Sequence, residues 1–167
     1  MKTDLTVAGY IFRKNSLDFK PELLLIKHKK LRLWLPVGGH IKANKNETPP
    51  EAMIREAREE VGLDIILLAY TSEYCTLSEV SKCAIPFYSN IHNVGDHDHY
   101  CQFYICEAGD QIVKLNKREI SYSKWFSKRK LGDAPFVIDN NNLAYLAFKK
   151  YEEIKYAMDR KIQTKKP

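Results

Sequence analysis

Cysteine is scarce in this chain, with four among 167 residues: Cys75, Cys83, Cys101 and Cys106. Their spacing matches neither a zinc knuckle nor a Cys-x-x-Cys redox pair, and they are too few to staple a secreted scaffold. Long hydrophobic runs are missing too. The opening Met1-Lys2-Thr3-Asp4 leads into no apolar stretch of the signal-peptide kind, and no run reaches membrane-spanning length. The expectation is a cytoplasmic protein with no membrane partner. Glycine and proline number seven each, without a linker, repeat or low-complexity tract, so one domain over residues 1–167 is expected. Acid is in deficit: 21 Asp and Glu face 27 Lys and Arg, a net +6. That balance excludes an acidic solvating tail and favours anionic partners.

What is present is enough apolar material for a core, 44% of residues, beside 29% charged. The basic surplus is uneven. Residues 114–167 hold 14 Lys and Arg against 6 Asp and Glu, whereas residues 1–113 hold 13 against 15. Acid is therefore concentrated somewhere before the basic third.

The pattern of elements is mixed. Leu5 to Arg13, Glu22 to His28, Leu63 to Tyr70, Ala84 to Ile91, Tyr100 to Cys106 and Ile120 to Phe126 read as strands, being β-branched, aromatic or apolar throughout. Pro36 to Asn46, with Gly38, Gly39 and two Asn, reads as a loop. Helical periodicity runs from about Pro50 to Val61, where Gly62 is the stop signal, and again from Leu143 to about Lys161.

The first helix holds the concentrated acid. Thr48 and Glu51 form a capping-box pattern. At 100° per residue Glu56, Glu59 and Glu60 share one face, while Ile54, Ala57 and Val61 lie opposite, where they can pack on a sheet. Carboxylates stacked on adjacent turns repel by a few tenths of a kcal/mol per i,i+4 pair, and a divalent cation reverses that sign. Arg55 flanks the cluster and can orient a carboxylate by paired N–H donors. A solvated charged face is the ordinary alternative for such a helix.

With its neighbours, this stretch resembles the Nudix box, G-x5-E-x7-R-E-U-x-E-E-x-G-U, with U a bulky aliphatic residue. Gly39 stands for the first Gly and Glu47 for the first Glu. Arg55-Glu56-Ala57-Arg58-Glu59-Glu60-Val61-Gly62-Leu63 completes the box over residues 39–63, with Ala57 at an aliphatic position. Seven residues rather than five separate Gly39 from Glu47, an insertion confined to the loop. The run from His28 through Trp34-Leu35-Pro36-Val37-Gly38-Gly39-His40, and Trp125-Phe126 preceded by Glu119, are similar to segments around the box in the same family.

The resemblance implies an α/β (α+β) fold, an α/β/α sandwich with a mixed β-sheet, and hydrolysis of a nucleoside diphosphate linked to another group with Mg²⁺ or Mn²⁺. It implies Glu56, Glu59 and Glu60 as metal carboxylates, the Gly38 carbonyl as a further ligand, and Arg55 as their orienting residue. Glu56 is the favoured general base, with Glu119 an accessory ligand and alternative base. A small nucleotide or polyphosphate is the implied partner, and a homodimer is left open. The competing class is a Nudix module that binds nucleotide without turnover. An isopentenyl diphosphate isomerase-like activity is disfavoured, since no Cys stands in the loop before the helix.

Other residues carry weaker signals. His40, directly after Gly39, and Asn140, at the spacing of an Asn that reads the purine edge in oxidised-guanine-sanitising relatives, are candidate substrate contacts; Asn140 to Asn142 also suit a turn and helix cap. His97, His99 and Cys101 alternate along a strand and, with Cys83, could make a zinc group, although a polar loop entering a strand is the commoner occurrence. Trp34, Tyr70, Tyr74, Tyr100 and Tyr104 offer base-stacking surfaces and more often pack a core. The basic tail lacks interleaved aromatics on a groove-reading element, so no specific nucleic acid is expected.

Overall fold

The longest strand, β1 (Thr3–Lys14), organises the molecule because alternate side chains serve two cores. Val7 and Ile11 point to one face of the sheet; Ala8, Tyr10 and Phe12 point to the other. The structure is a computed structural model that describes residues 2–68, 84–133 and 140–163. Tyr70, Tyr74, Cys75, Cys83 and the last residues of the basic tail lie outside those described.

The remaining elements are β2 (Pro21–His28), β3 (Trp34–Leu35), β4 (Val37–His40), α1 (Pro49–Val61), β5 (Ile65–Leu67), β6 (Tyr88–Asn93), β7 (Asp98–Ala108), β8 (Ile120–Ser127) and α2 (Asn140–Gln163). The sheet runs β3-β2-β1-β7-β5, with β8 on β2, β6 on β7 and β4 on β1. It is mixed: β1 and β7 run parallel, from Thr3↔Asp98 to Phe12↔Glu107, and the other pairs are antiparallel. One edge of β1 is shared, its first half by β4 and its second half by β2.

Helices cover both faces. α1 lays Ala52, Met53, Ala57 and Val61 on Val7, Ile11, Leu24, Tyr104 and Cys106. α2 lays Ala144, Ala147, Phe148, Tyr151 and Ile154 on Tyr10, Phe12, Phe103 and Phe126. Gly9 marks the closest approach of α1: a Cβ there would lie 2.6 Å from Met53. The architecture is thus the α+β sandwich with a mixed sheet that the resemblance implied.

Two readings change and a third is narrowed to the commoner of its alternatives. Gly38 and Gly39 belong to a strand rather than a loop. After β3, Pro36 turns the chain from β2 onto β1, and Gly38 lies so close that a Cβ would stand 2.2 Å from the Val7 carbonyl oxygen. Side-chain bulk, not backbone flexibility, is what these glycines avoid. The anchoring face of α1 is carried by Ala52 and Met53 with Ala57 and Val61, while Ile54 is half-buried at its margin. Trp34 and Tyr104 are core residues: Trp34 meets Phe126 edge-on at 5.4 Å, and the Tyr104 hydroxyl donates to Gln102.

Candidate active site

The entry to α1 is fixed by its own sequence. Thr48 caps it, the Thr48 N–H donates to the Glu51 carboxylate at 2.9 Å and the Glu51 N–H reaches the Thr48 hydroxyl, with Pro49 and Pro50 in the first turn. Such a cap stabilises a helix by about 1 kcal/mol. At the other end Gly62 adopts φ 66°, and the Gly62 and Leu63 N–H groups return to the Arg58 and Ala57 carbonyls, each at 3.2 Å.

The carbonyls that a helix leaves free at its C-terminus are taken by a distant loop. The Lys114 N–H donates to the Val61 carbonyl and the Asn116 N–H to the Glu60 carbonyl, both at 2.8 Å. Asn116 in turn accepts from the N–H groups of Glu119 and Ile120, which starts β8. This docking carries Glu119, exposed on the loop, close enough for its charge to act on Glu60.

Arg55 is the hub of the site. Its guanidinium donates to Glu47 twice, at 2.6 and 3.0 Å, to Glu56 at 2.6 Å, to Glu59 at 3.0 Å and to the His40 carbonyl at 2.9 Å. The lengthened loop after Gly39 therefore still delivers Glu47 to the arginine, helped by the Lys42 N–H, which donates at 2.7 Å to the Oε2 that Arg55 Nη2 also holds. The Arg55 hydrogen bonds hold the Glu47 carboxyl down at about 2.

Glu60 is treated in the opposite way. It is 5% exposed and accepts from the Gly38 N–H at 3.1 Å. Burial pushes its carboxyl up to about 8, and the negative charges of Glu56, Glu119 and Glu59 push in the same direction. Glu56, half-buried, is raised by burial as well, with Arg55 pulling against it. Its carboxylate lies where Gly39 has no side chain: a Cβ there would be 2.5 Å from Oε1. Glu59 remains in solvent, 3.5 Å from Lys42. Of the three carboxylates that share a helix face in projection, Glu59 is in solvent, whereas Glu60 sits at the seam between helix and sheet, so the alternative of a merely solvated face fails at Glu60.

A buried carboxyl beside further glutamates, with the Gly38 backbone alongside, is a hard-oxygen donor set, and its mutual repulsion is what a divalent cation relieves. The residues therefore fit a Mg²⁺ or Mn²⁺ ion. Bound there, it would be held by oxygen, not by nitrogen or sulfur.

The remaining candidates are dispersed. His40 contributes its carbonyl to Arg55, while its imidazole stands on the opposite face of β4, 3.6 Å from Asp4. Asn140 begins α2, and its side chain lies outside the described residues. Cys101 is buried in the core under α2; the histidines His97 and His99 group with Asp4 and His40 instead. Asp4 carried no sequence signal of its own, because only the pairing of β1 with β4 and β7 brings it there. Much of the basic flank is internally balanced, with Lys128 on Glu152, Lys150 on Glu153 and Lys155 on Glu107. Among the described residues no helix is long and apolar enough to cross a membrane.

Comparison with known proteins gives a consistent answer. The NUDIX domain family model matches residues 3–146. A NUDIX-family hydrolase from Clostridium perfringens superposes with a TM-score of 0.76 at 30% identity, covering 90% of this chain and 99% of that one. An Ap4A hydrolase binary complex from C. elegans matches at 0.67 and 17% identity, over 90% and 98% of the two chains. The NUDIX domain of Shewanella oneidensis NrtR, complexed with ADP ribose, matches at 0.63 and 19% identity, over 90% of each. No curated protein matches the sequence.

Proposed function

Since the chain belongs to the Nudix family and is a pyrophosphohydrolase of that family, we propose that it hydrolyses a nucleotide in a divalent-metal-dependent reaction. The substrate class is a nucleoside di- or triphosphate, or a nucleoside diphosphate linked to another group. Glu56, Glu59, Glu60 and the Gly38 carbonyl would hold Mg²⁺ or Mn²⁺. The observation that carries this reading is the buried Glu60 carboxyl, pushed up to about 8 beside Glu56, Glu59 and Glu119. Such an arrangement destabilises a protein without a cation and is relieved by one.

When bound, the ion would neutralise phosphate charge, lower the pKa of a coordinated water and align the phosphates. The chain supplies the rest. Arg55 fixes Glu47, Glu56 and Glu59 relative to one another through five hydrogen bonds, four of them to carboxylates. Glu56 is the proposed general base, taking the proton of the water that attacks phosphorus. Its environment favours the role, because burial raises the carboxyl while Arg55 keeps it in one orientation. Glu119, brought in by the 114–120 loop, is the proposed accessory ligand and the alternative base. Asn140 is the proposed substrate contact, while His40 serves the site through its carbonyl on Arg55, its imidazole lying across β4. The nucleotide named with the NrtR domain and the Ap4A named with the nematode hydrolase support a nucleotide as the substrate class.

The test is a panel of nucleoside polyphosphates, dinucleoside polyphosphates and nucleotide sugars, with Mg²⁺ or Mn²⁺ and with phosphate or pyrophosphate detection. Turnover of at least one class that ceases on chelation is the expected result. Absence of turnover on every class overturns the reading, and tight nucleotide binding without turnover would instead favour the binding-module alternative.

A further inference from the structure

On the face of β4 turned away from α1, four side chains from separate segments converge. Asp4 comes from β1, His40 from the end of β4, His97 from the turn after β6 and His99 from β7. The register explains the meeting. Thr6 pairs with His40 and Asp4 with His99, so the two imidazoles flank the first residues of β1 on one side of the sheet. The hydrogen bond from the Val94 N–H to the His97 carbonyl closes the turn that brings the third.

The ligand atoms of these residues all lie within 4.8 Å of one another. His97 Nε2 stands 3.1 Å from His99 Nε2 and 3.4 Å from Asp4 Oδ2, and His40 Nε2 stands 3.6 Å from the same oxygen. A tetrahedral ion with bonds of about 2.0 Å to nitrogen and oxygen places its ligand atoms about 3.3 Å apart. These three separations therefore already approximate edges of that tetrahedron.

The surroundings orient the donors. The outer nitrogen of His97, Nδ1, lies 2.6 Å from the Asp96 carboxylate, which favours the proton on Nδ1 and leaves the Nε2 lone pair turned into the group. Lys2 lies against both oxygens of Asp4, 3.0 Å from Oδ1 and 3.4 Å from Oδ2, and Oδ2 is the oxygen that also faces His40 and His97. His92 pairs with His99 across β6 and β7, with its ring 5.5 Å away and its Nδ1 on Asn90. A hydrogen-bonded knot of imidazoles around Asp4 is the ordinary alternative. It does not need an outer carboxylate on His97, nor the Nε2 atoms of His40 and His97 meeting at one carboxylate oxygen with His99 Nε2 alongside.

We propose that Asp4, His40, His97 and His99 form a second metal site, for Zn²⁺ or a similar borderline transition-metal ion. Three imidazole nitrogens and one carboxylate select such ions over Mg²⁺. The site is distinct from the carboxylates by its donor set and by its position across β4. It would clasp β1, β4 and β7 together at the end of the sheet. A bound ion would also engage the His40 imidazole, whose own carbonyl holds Arg55.

Calorimetry of tag-free protein in excess Mg²⁺, titrated with Zn²⁺ alone, tests the assignment, and Co²⁺ absorption reports the coordination. One equivalent should bind with a Kd of about 1 μM or tighter. H97N/H99N should weaken binding roughly 100-fold or more, D4N roughly 10-fold, and E60Q should leave it unchanged. Circular dichroism and Tm establish that each variant is folded, and D4N, which keeps all three imidazoles, decides the matter if the double variant is not. No saturable uptake by the native protein overturns the proposal. So does uptake that survives H97N/H99N in a folded protein, or uptake lost in E60Q, which would assign the ion to the carboxylates. Zinc uptake is read apart from turnover, so this proposal and the hydrolase reading fail separately.

Discussion

β4 is four residues long and divides two clusters of opposite chemistry. Toward α1, the bare Gly39 leaves room for the Glu56 carboxylate, with Arg55, Glu59 and Glu60 around it. On the other side, His40 joins Asp4, His97 and His99. The first cluster is oxygen-rich, tied by a central arginine and strained by burial at Glu60. The second is nitrogen-rich and assembled from strand ends. The contrast teaches that one strand can keep two kinds of ligand apart simply by alternation, since adjacent residues face opposite sides of a sheet.

The oxygen-rich cluster depends most on Glu60. Glu60→Gln should lower kcat by about 10²–10³-fold by removing a charge that the reaction uses. It should not lower the stability of the metal-free protein. The folded-state carboxyl is raised from 4.5 to about 8, so the folded state binds the extra proton and native stability falls as pH rises through that window. Gln carries no such penalty, and Tm measured in chelator from pH 5 to 8 should decline in the native protein and much less in the variant.

Arg55→Lys comes next. A lysine cannot reproduce the paired donors to Glu47 while reaching Glu56 and Glu59, so activity should fall roughly 10–100-fold even though charge is kept. Retention of native kcat would show that orientation by the guanidinium is dispensable. Glu47→Gln tests the opposite sign of shift. Glu47 is held down at about 2 from 4.5, so its contribution is present above pH 4.5 and is lost as pH falls toward 2. The variant should lose stability at neutral pH and show a flatter acid limb, measurable by denaturant unfolding at pH 2.5, 4 and 7. The smallest effect belongs to the far cluster: H97N/H99N, assayed in Mg²⁺ without zinc, should keep kcat within about threefold. A larger fall would join the two sides of β4 into one functional unit.

Much of this was legible in the residues. The helix bearing Arg55, Glu56, Glu59 and Glu60 is delimited by Thr48 and Gly62, signals that depend on local chemistry alone. Glu60 shows where that legibility stops. A helical projection gives angles and not neighbours, and its burial depends on β4 and on the 114–120 loop docked at the end of α1. β4 itself was hidden because two glycines in a row resemble a loop, whereas here they permit close approach to β1. Asp4 and His40 are a matter of strand order, which no short stretch of sequence encodes. Asp4 reads locally as an ordinary polar residue entering a strand.

The parallel pairing of β1 with β7 also bears on how the protein reaches its native state. β1 precedes β7 in the chain and meets it only after Asp98–Ala108 has emerged, so the sheet closes over a long stretch of sequence. Contacts so distant in sequence slow folding, because the loop must be closed before its strands reward it. Both clusters depend on that closure, Asp4 with His99 directly and Glu60 through the loop that follows β7. Ligand affinity should therefore be regained in refolding together with the burial of Tyr104, which β7 carries into the core.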